Sequence, residues 1–387
     1  KRRSKRRSDM EVTMELGIME QVKNIAMHFC LEGEIEEIIP YGNGHINDTF
    51  RIACRLADGS TKRYILQKMN RSVFKNPEEL MENVMNITSF LQRKVLEAGG
   101  DPERETLEVI PTKEGKNYLE DEGGECWRIY LYIEDVTSFD AVEKPEDFYN
   151  SAVAFGNFQR LLADYPAATL HETIPNFHNT VSRLADFKKA VEEDVCDRAK
   201  DVQEEIRFVL ERSADCSLIC DALDKGEIPL RVTHNDTKLN NILIDNKTGK
   251  GICVVDLDTV MPGSALYDYG DAIRFGASTG AEDERNLDLI SCDLHLYEIY
   301  TKGYLEGCQG SLTDEEIRLM PVGAKLMTLE CGMRFLTDHL QNDVYFKIHR
   351  ENHNLDRART QFKLVADMES KWDEMQRIAE KYLSGKA

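Results

Sequence analysis

Three side chains between residues 232 and 258 could do phosphoryl-transfer chemistry together. Asp236 follows His234 by two positions, Asn241 follows Asp236 by five, and Asp256 lies twenty beyond Asp236. One aspartate can accept the proton of an attacking hydroxyl. A second aspartate with an asparagine offers hard oxygen ligands to Mg²⁺, which usually takes one or two carboxylates and fills its shell with phosphate oxygens and water. The sequence also predicts the element that brings them together. Asn241–Ile244 reads as a strand, Asp245-Asn246-Lys247-Thr248-Gly249 as turn chemistry, and Ile252–Asp256 as the returning strand. With Ile244 facing Gly251, antiparallel pairing returns Asp256 beside Leu239–Asn241.

The rest of the chain supplies a frame for such a site. Ile35–Pro40, Thr49–Leu56 and Lys62–Lys68 read as successive strands, the second pair joined by Asp58-Gly59. Asn76-Pro77-Glu78-Glu79 then opens a helix, with Asn76 as N-cap, Pro77 at N1 and Glu79 completing a capping-box-like pair. Its stripe of Leu80, Val84, Ile87, Leu91 and Val95 runs to Gly99-Gly100. Thr106–Pro111 and Cys126–Ile133 read as further strands. After Glu134-Asp135 the character changes, and 147–165, 180–212, 283–306, 313–340 and 354–384 look helical. The expected fold is α+β and bilobal, protein-kinase-like, with a small β-rich N-lobe over 15–134 and a mostly helical C-lobe over 135–387. Residues 1–14 form a basic tail.

Gly42 and Gly44 let the first strand connection approach phosphates closely, because glycine lacks Cβ and reaches positive φ. A cation from the third strand commonly pairs with nucleotide phosphates and a helix carboxylate. Lys68 and Glu82 are the candidates, although strand alternation sends Gln67 and Lys68 to opposite faces and leaves either able to hold that position. Tyr132-Ile133-Glu134-Asp135 would be the hinge, meeting adenine through backbone groups.

These strings resemble a known family. His234-Asn-Asp-Thr-Lys-Leu-Asn-Asn241, Val255-Asp-Leu-Asp-Thr-Val-Met-Pro-Gly263 and Tyr267-Asp-Tyr-Gly-Asp-Ala-Ile-Arg-Phe-Gly276 are similar to the aminoglycoside-phosphotransferase superfamily. Tyr41-Gly-Asn-Gly-His-Ile-Asn47, Glu330-Cys-Gly-Met-Arg-Phe-Leu-Thr-Asp338 and Tyr345-Phe-Lys-Ile-His-Arg350 most resemble its N-acetylhexosamine 1-kinase subfamily. The resemblance spans roughly residues 35 to 375. It implies ATP- and Mg²⁺-dependent phosphorylation of the anomeric hydroxyl of N-acetylglucosamine or N-acetylgalactosamine. By the same resemblance Asp236 is the base and Asp256 the metal ligand, while Phe275, Arg334 and Tyr345, with His45 and Asn47, are candidate substrate-binding residues. Asp268 reads as an acceptor for loop amides, and Asp258 as a second candidate metal contact. Relatives place a basic residue where this strand has Gln67.

Composition bounds the alternatives. A net charge of −21 argues against general affinity for nucleic-acid phosphates. Lys1-Arg-Arg-Ser-Lys-Arg-Arg7 runs against that trend and reads as a tail or an expression remnant, with Met10 a candidate native start. At 41% apolar, the chain has no run long enough to span a membrane. Ten scattered cysteines, with no paired Cys-x-x-Cys sets, fit a reducing cytoplasm. The rival expectations are a kinase of another small alcohol on the same fold (an aminoglycoside, choline, homoserine or another sugar position), a silent nucleotide-binding scaffold, and a protein kinase. The last lacks Asp-Phe-Gly and Ala-Pro-Glu elements. Oligomeric state is left open by these motifs.

Overall fold

Alternation in the N-terminal third does fold as sheet. A computed structural model of the chain describes residues 17–42 and 47–384. The basic tail and the loop positions Gly44 and His45 lie outside the described residues. The chain divides into two units at Val136/Thr137. In the first, a helix over 17–26 (α1) precedes β1 (Glu34–Pro40), β2 (Asp48–Arg55) and β3 (Thr61–Met69). Helices α2 (Pro77–Glu97) and α3 (Pro102–Glu105) follow, then β4 (Val109–Ile110), β5 (Leu119–Glu120) and β6 (Cys126–Leu131). The antiparallel sheet runs β1-β2-β3-β6-β4, with β5 also paired to β6.

One face of this sheet carries Ile52, Cys54, Tyr64, Leu66, Trp127 and Ile129, covered by Val22, Ile25 and Ala26 of α1. Each buried aliphatic side chain there is worth about 1.5–3 kcal/mol of transfer free energy. The α2 helix starts as its sequence requires. Asn76 accepts a hydrogen bond from the Glu79 amide, Pro77 occupies the first turn, and all five stripe residues are buried. The strand expected over Thr106–Pro111 shortens to Val109–Ile110, while Leu119–Glu120 is a strand that periodicity did not reveal.

The second unit opens within β7 (Val136–Thr137) and continues with α4 (Pro145–Leu161), α5 (Thr180–Glu193), α6 (Gln203–Leu210) and α7 (Leu218–Asp224). Four short strands follow: β8 (Arg231–Thr233), β9 (Ile242–Asp245), β10 (Gly251–Val254) and β11 (Met261–Gly263). The remainder is helical: α8 (Ala265–Gly276), α9 (Leu294–Cys308), α10 (Asp314–Arg318), α11 (Met320–Leu340), α12 (His353–Ser370) and α13 (Trp372–Glu380). No helix among the described residues is long and apolar enough to cross a membrane. The ten cysteines are free thiols, with Cys54, Cys126 and Cys253 buried.

Several expected helices are broken where a side chain competes for backbone amides. The run 180–212 stops at Asp194, which turns left-handed (φ 36°) and accepts from the Arg198 and Ala199 amides. The run 283–306 begins only at Leu294, capped by Asp293. Lys371 separates α12 from α13 within 354–384. The opposite correction applies to Asp268 and Asp271. Their neighbouring glycine predicts a loop, but both lie in α8, which Ser264 caps by accepting from the Leu266 amide. Gly270 serves close packing there: a methyl group on it would lie 2.2 Å from the Gly323 carbonyl oxygen of α11.

Candidate active site

The hairpin that sequence predicts is present in the expected register, with Gly251 opposite Ile244. Asp245 closes its turn by accepting from the Lys247 and Thr248 amides. Beyond β10, the Val255 amide donates to the Asn241 carbonyl at 2.9 Å, which returns Asp256 to the neighbourhood of the loop. Asp256 itself is left-handed, with φ 59°. Non-glycine residues adopt that conformation at a cost, and aspartate is among the types that tolerate it best.

The loop from His234 to Asn241 hangs from β8, which pairs with β11. Asn241 donates through Nδ2 to the Asp236 carbonyl at 2.8 Å and to its Oδ2 at 3.3 Å. Lys238 Nζ lies 3.0 Å from Asp236 Oδ1. Burial pulls the Lys238 ammonium down, but the Asp236 carboxylate outweighs it and holds the amine above its usual value. His234 is fully buried between the edges of Phe155 and Phe158. Its Nδ1 accepts from the Asp236 amide, so its Nε2 donates to the Val255 carbonyl, tying the loop to the far end of the hairpin.

Asp268 organises this loop from below. Its two carboxylate oxygens accept from the His234 amide at 2.9 Å and the Asn235 amide at 2.7 Å, the structural task expected of it. Asn235 is left-handed (φ 68°) and donates its side-chain amide to the Thr259 carbonyl, while the Thr259 hydroxyl donates back to His234. Burial pushes the Asp268 carboxyl up, and the two amides offset part of that rise. Asp271, one turn later, is held below its usual value despite burial, by Arg274, His178 and Lys238.

On the helical side, Arg334 and Tyr345 come together. The guanidinium carbon stands 5.5 Å from the Phe177 ring, 5.7 Å from Tyr345 and 5.4 Å from Phe346, and a nitrogen lies 3.5 Å from the Tyr345 hydroxyl. Tyr345 is 67% exposed. Its loop is fixed by buried Asp338, which accepts from the Val344, Tyr345 and Phe346 amides and from Asn354. Among the described residues Phe275 makes no ring contact with this box; it lies in the last turn of α8 at 39% exposure.

In the first unit, Gly42 has φ 77°, as a glycine turn requires. Asn47 accepts from the Asn70 amide, a contact within its own unit. The Glu134 carbonyl accepts from Arg104, and its carboxylate pairs with Arg63, so one carbonyl lone pair of the expected hinge is already engaged. The expected Lys68–Glu82 pair does not form. Lys68 lies 3.8 Å from Asp48 and 3.5 Å from Glu125, because strand alternation turns it away from the face that Gln67 occupies.

Comparison with known proteins decides the family. A model of the phosphotransferase enzyme family matches residues 37–291. The chain belongs to the phosphotransferase enzyme family. The aminoglycoside phosphotransferase of Alicyclobacillus acidocaldarius is similar to it at TM-score 0.63 and 12% identity, over 92% of this chain and 96% of that one. An amicoumacin kinase solved with AMP-PNP, Ca²⁺ and amicoumacin gives 0.57 and 12%, over 94% and 96%. The choline kinase of Cryptosporidium parvum gives 0.54 and 14%, over 89% and 92%. At these identities the solved structures speak for a shared kinase-like α+β fold.

A divalent cation fits the donors of this phosphotransferase. Among the described residues no group of three or more His, Cys, Asp or Glu side chains is gathered as a metal cage. A cation held by one or two carboxylates, with phosphates completing its shell, requires none. Asp256 offers a carboxylate, and Asn241 points its amide nitrogen at Asp236, leaving its oxygen as a hard donor.

Sequence reasoning missed Lys238, Asp338 and the pair His178–Glu330. Lys238 sits two residues after Asp236, a spacing that could have flagged it. The other three are recognisable only in three dimensions. His178 Nδ1 lies 2.8 Å from Glu330 Oε1, and its Nε2 lies 3.4 Å from the Asn235 carbonyl. Burial pulls the His178 imidazole down, but Glu330 outweighs it and holds the ring above its usual 6.5. A raised folded value stabilises the fold fully below about pH 6.5, and that contribution fades as pH rises through the folded value. Thermal unfolding followed between pH 6 and 9 should therefore show a decline that His178→Gln flattens. An unchanged slope in the variant would remove His178 from this role.

Proposed function

We propose that this phosphotransferase moves the γ-phosphoryl group of ATP to the anomeric hydroxyl of an N-acetylhexosamine, giving the sugar 1-phosphate. The observation that carries the reading is Asp236 fixed between Asn241 and Lys238, on a loop whose amides are locked by Asp268. A carboxylate so placed can orient the acceptor hydroxyl and take its proton as the sugar oxygen bonds to phosphorus. The bond from phosphorus to the β–γ bridging oxygen breaks, and ADP leaves with that electron pair. Lys238 sits where it can neutralise charge on the transferred group. Mg²⁺, held by Asp256 and Asn241, would supply charge neutralisation for the phosphates. No serine or cysteine nucleophile is needed.

The box of Arg334, Tyr345, Phe177 and Phe346 supports a sugar as acceptor. Aromatic faces cover the apolar face of a pyranose, and the guanidinium and phenol give directed hydrogen bonds. Phe275 and Asn47 remain part of the proposal through resemblance, and Gly42, Glu82 and Glu134 through their nucleotide-side positions. A second reading, a kinase of a cationic alcohol such as choline or an aminoglycoside, draws on the net charge of −21. Phosphorus NMR after incubation with ATP, Mg²⁺ and a panel of N-acetylhexosamines, plain hexoses, choline and an aminoglycoside separates the two. A 1-phosphate formed from N-acetylhexosamines alone supports the sugar reading, and turnover only on choline or an aminoglycoside overturns it.

Asp338→Ala tests the box. Three backbone amides lose their acceptor at about 1–3 kcal/mol for each donor left buried. The loop carrying Tyr345 should then loosen, raising KM for the sugar about tenfold or more while KM for ATP stays put. Equal rises in both constants would place Asp338 outside acceptor binding.

A further inference from the structure

The peptide group between Asn235 and Asp236 sets where the Asp236 carboxylate stands, because its plane fixes the backbone from which that side chain projects. Two histidines hold this group from opposite ends. The Asp236 amide donates to His234 Nδ1 at 3.3 Å, and the Asn235 carbonyl lies 3.4 Å from His178 Nε2. Asn235 is left-handed, with its own amide on Asp268 and its side chain on the Thr259 carbonyl. Its carbonyl is the remaining polar group, and His178 is what meets it.

The two histidines work in opposite protonation states. His234 accepts at Nδ1 and so presents a lone pair there. His178 faces an acceptor at each nitrogen, the Glu330 carboxylate at 2.8 Å and the Asn235 carbonyl. With Glu330 ionised, both contacts are hydrogen bonds only when the imidazole carries two protons. The His178 side chain is 9% exposed and that of Glu330 2%, and among the described residues the second Glu330 oxygen has no hydrogen-bond partner. Glu330 outweighs burial in holding the proton on the ring; Asp271 adds to its effect and Arg334 opposes it. Asp268 shares these surroundings, the Tyr267 ring lies 5.5 Å away, and Arg183 of α5 donates to the neighbouring Phe177 carbonyl. When His178 loses one proton, the other stays on Nδ1 against the carboxylate. Nε2 then turns a lone pair toward the Asn235 oxygen, and the bond is lost.

We propose that His178, kept as an imidazolium by Glu330, is a positioning residue that holds the Asn235 carbonyl and, through it, the Asp236 carboxylate for proton transfer. The inference rests on Asp236 as the base in the reading above, whichever acceptor is used. Freeing one end of the peptide group lets the base shift, and small displacements of a reacting group cost large factors in rate.

The test is kcat between pH 6 and 10, with saturating ATP, Mg²⁺ and an acceptor that the phosphorus NMR panel shows to be phosphorylated. Wild type should keep its full rate while His178 is protonated and lose it as pH rises through the folded value. His178→Gln keeps N–H donors on an uncharged amide, so it should run within several-fold of the wild-type maximum and lack the alkaline decline. His178→Leu has no donor, and its kcat should be about 10–100-fold lower at every pH. KM for ATP should stay within about twofold in both. If His178→Leu does not fold, because Glu330 is left buried without its partner, His178→Leu with Glu330→Gln replaces it and should show the same loss. A wild-type profile flat to pH 10, a wild-type decline retained in His178→Gln, or equal rates for the glutamine and leucine variants overturns the proposal. Wild-type protein that phosphorylates no acceptor, or an Asp236→Asn variant with near wild-type turnover, would instead remove the reading on which the proposal stands.

Discussion

Asp236→Asn will lower kcat by about 10²–10⁴-fold, the range expected when a positioned general base is removed. The effect should fall on rate, because the amide keeps the shape of the carboxylate and one hydrogen-bond acceptor. Asn241 can still donate to it, while Lys238 loses its charged partner. AMP-PNP binding should therefore change little, and the variant should melt where the wild type does. Steady-state kinetics beside calorimetry gives the answer. Turnover near the wild-type rate would remove Asp236 from its role, and a collapse in melting temperature would show that the side chain holds the loop rather than the proton.

Asp268→Ala should have the next-largest effect, and of a different kind. Its carboxylate is the acceptor for two consecutive amides at the start of the loop from His234 to Asn241, and it is 1% exposed. Two buried donors left without partners cost about 1–3 kcal/mol each. In a unit the size of Thr137–Ala387 each kcal/mol corresponds to roughly 2 °C, so a fall of about 4–12 °C in melting temperature is expected. Activity should be lost with it, since Asn235 would no longer be held left-handed next to Asp236. Asp268→Asn, which keeps one acceptor oxygen, should fall between. A stable, active Asp268→Ala would mean that the loop is held by its threonines and Asn241 alone.

Much of this fold was legible in the sequence because local rules and tertiary packing agree there. Ile244 opposite Gly251 follows from turn chemistry, and α2 from Asn76-Pro77 and its stripe. The failures come where one residue type serves two purposes. Glycine reads as a turn, yet Gly270 lies inside α8 because two helices touch there. Aspartate reads as surface or metal ligand, yet Asp194 ends a helix and Asp338 collects three amides from a loop. Lys68 shows a third kind of failure. Its residue type suits phosphate, but a one-residue alternation turns it to the other face, and the cation bonded to Gln67 is Arg128, from a strand 61 residues away. No local pattern in β3 could have shown that neighbour.

The contact of Gly270 with Gly323 bears on how this protein can change over time. Asp268, two residues before Gly270, is placed by how closely α8 lies on α11, and any larger residue at 270 would lift the helix and the loop amides with it. Drift at that position is thus blocked for reasons that have nothing to do with substrate. In an alignment of relatives, an invariant glycine at 270 would stand among the catalytic residues and be mistaken for one of them. What it would record is the distance between two helices.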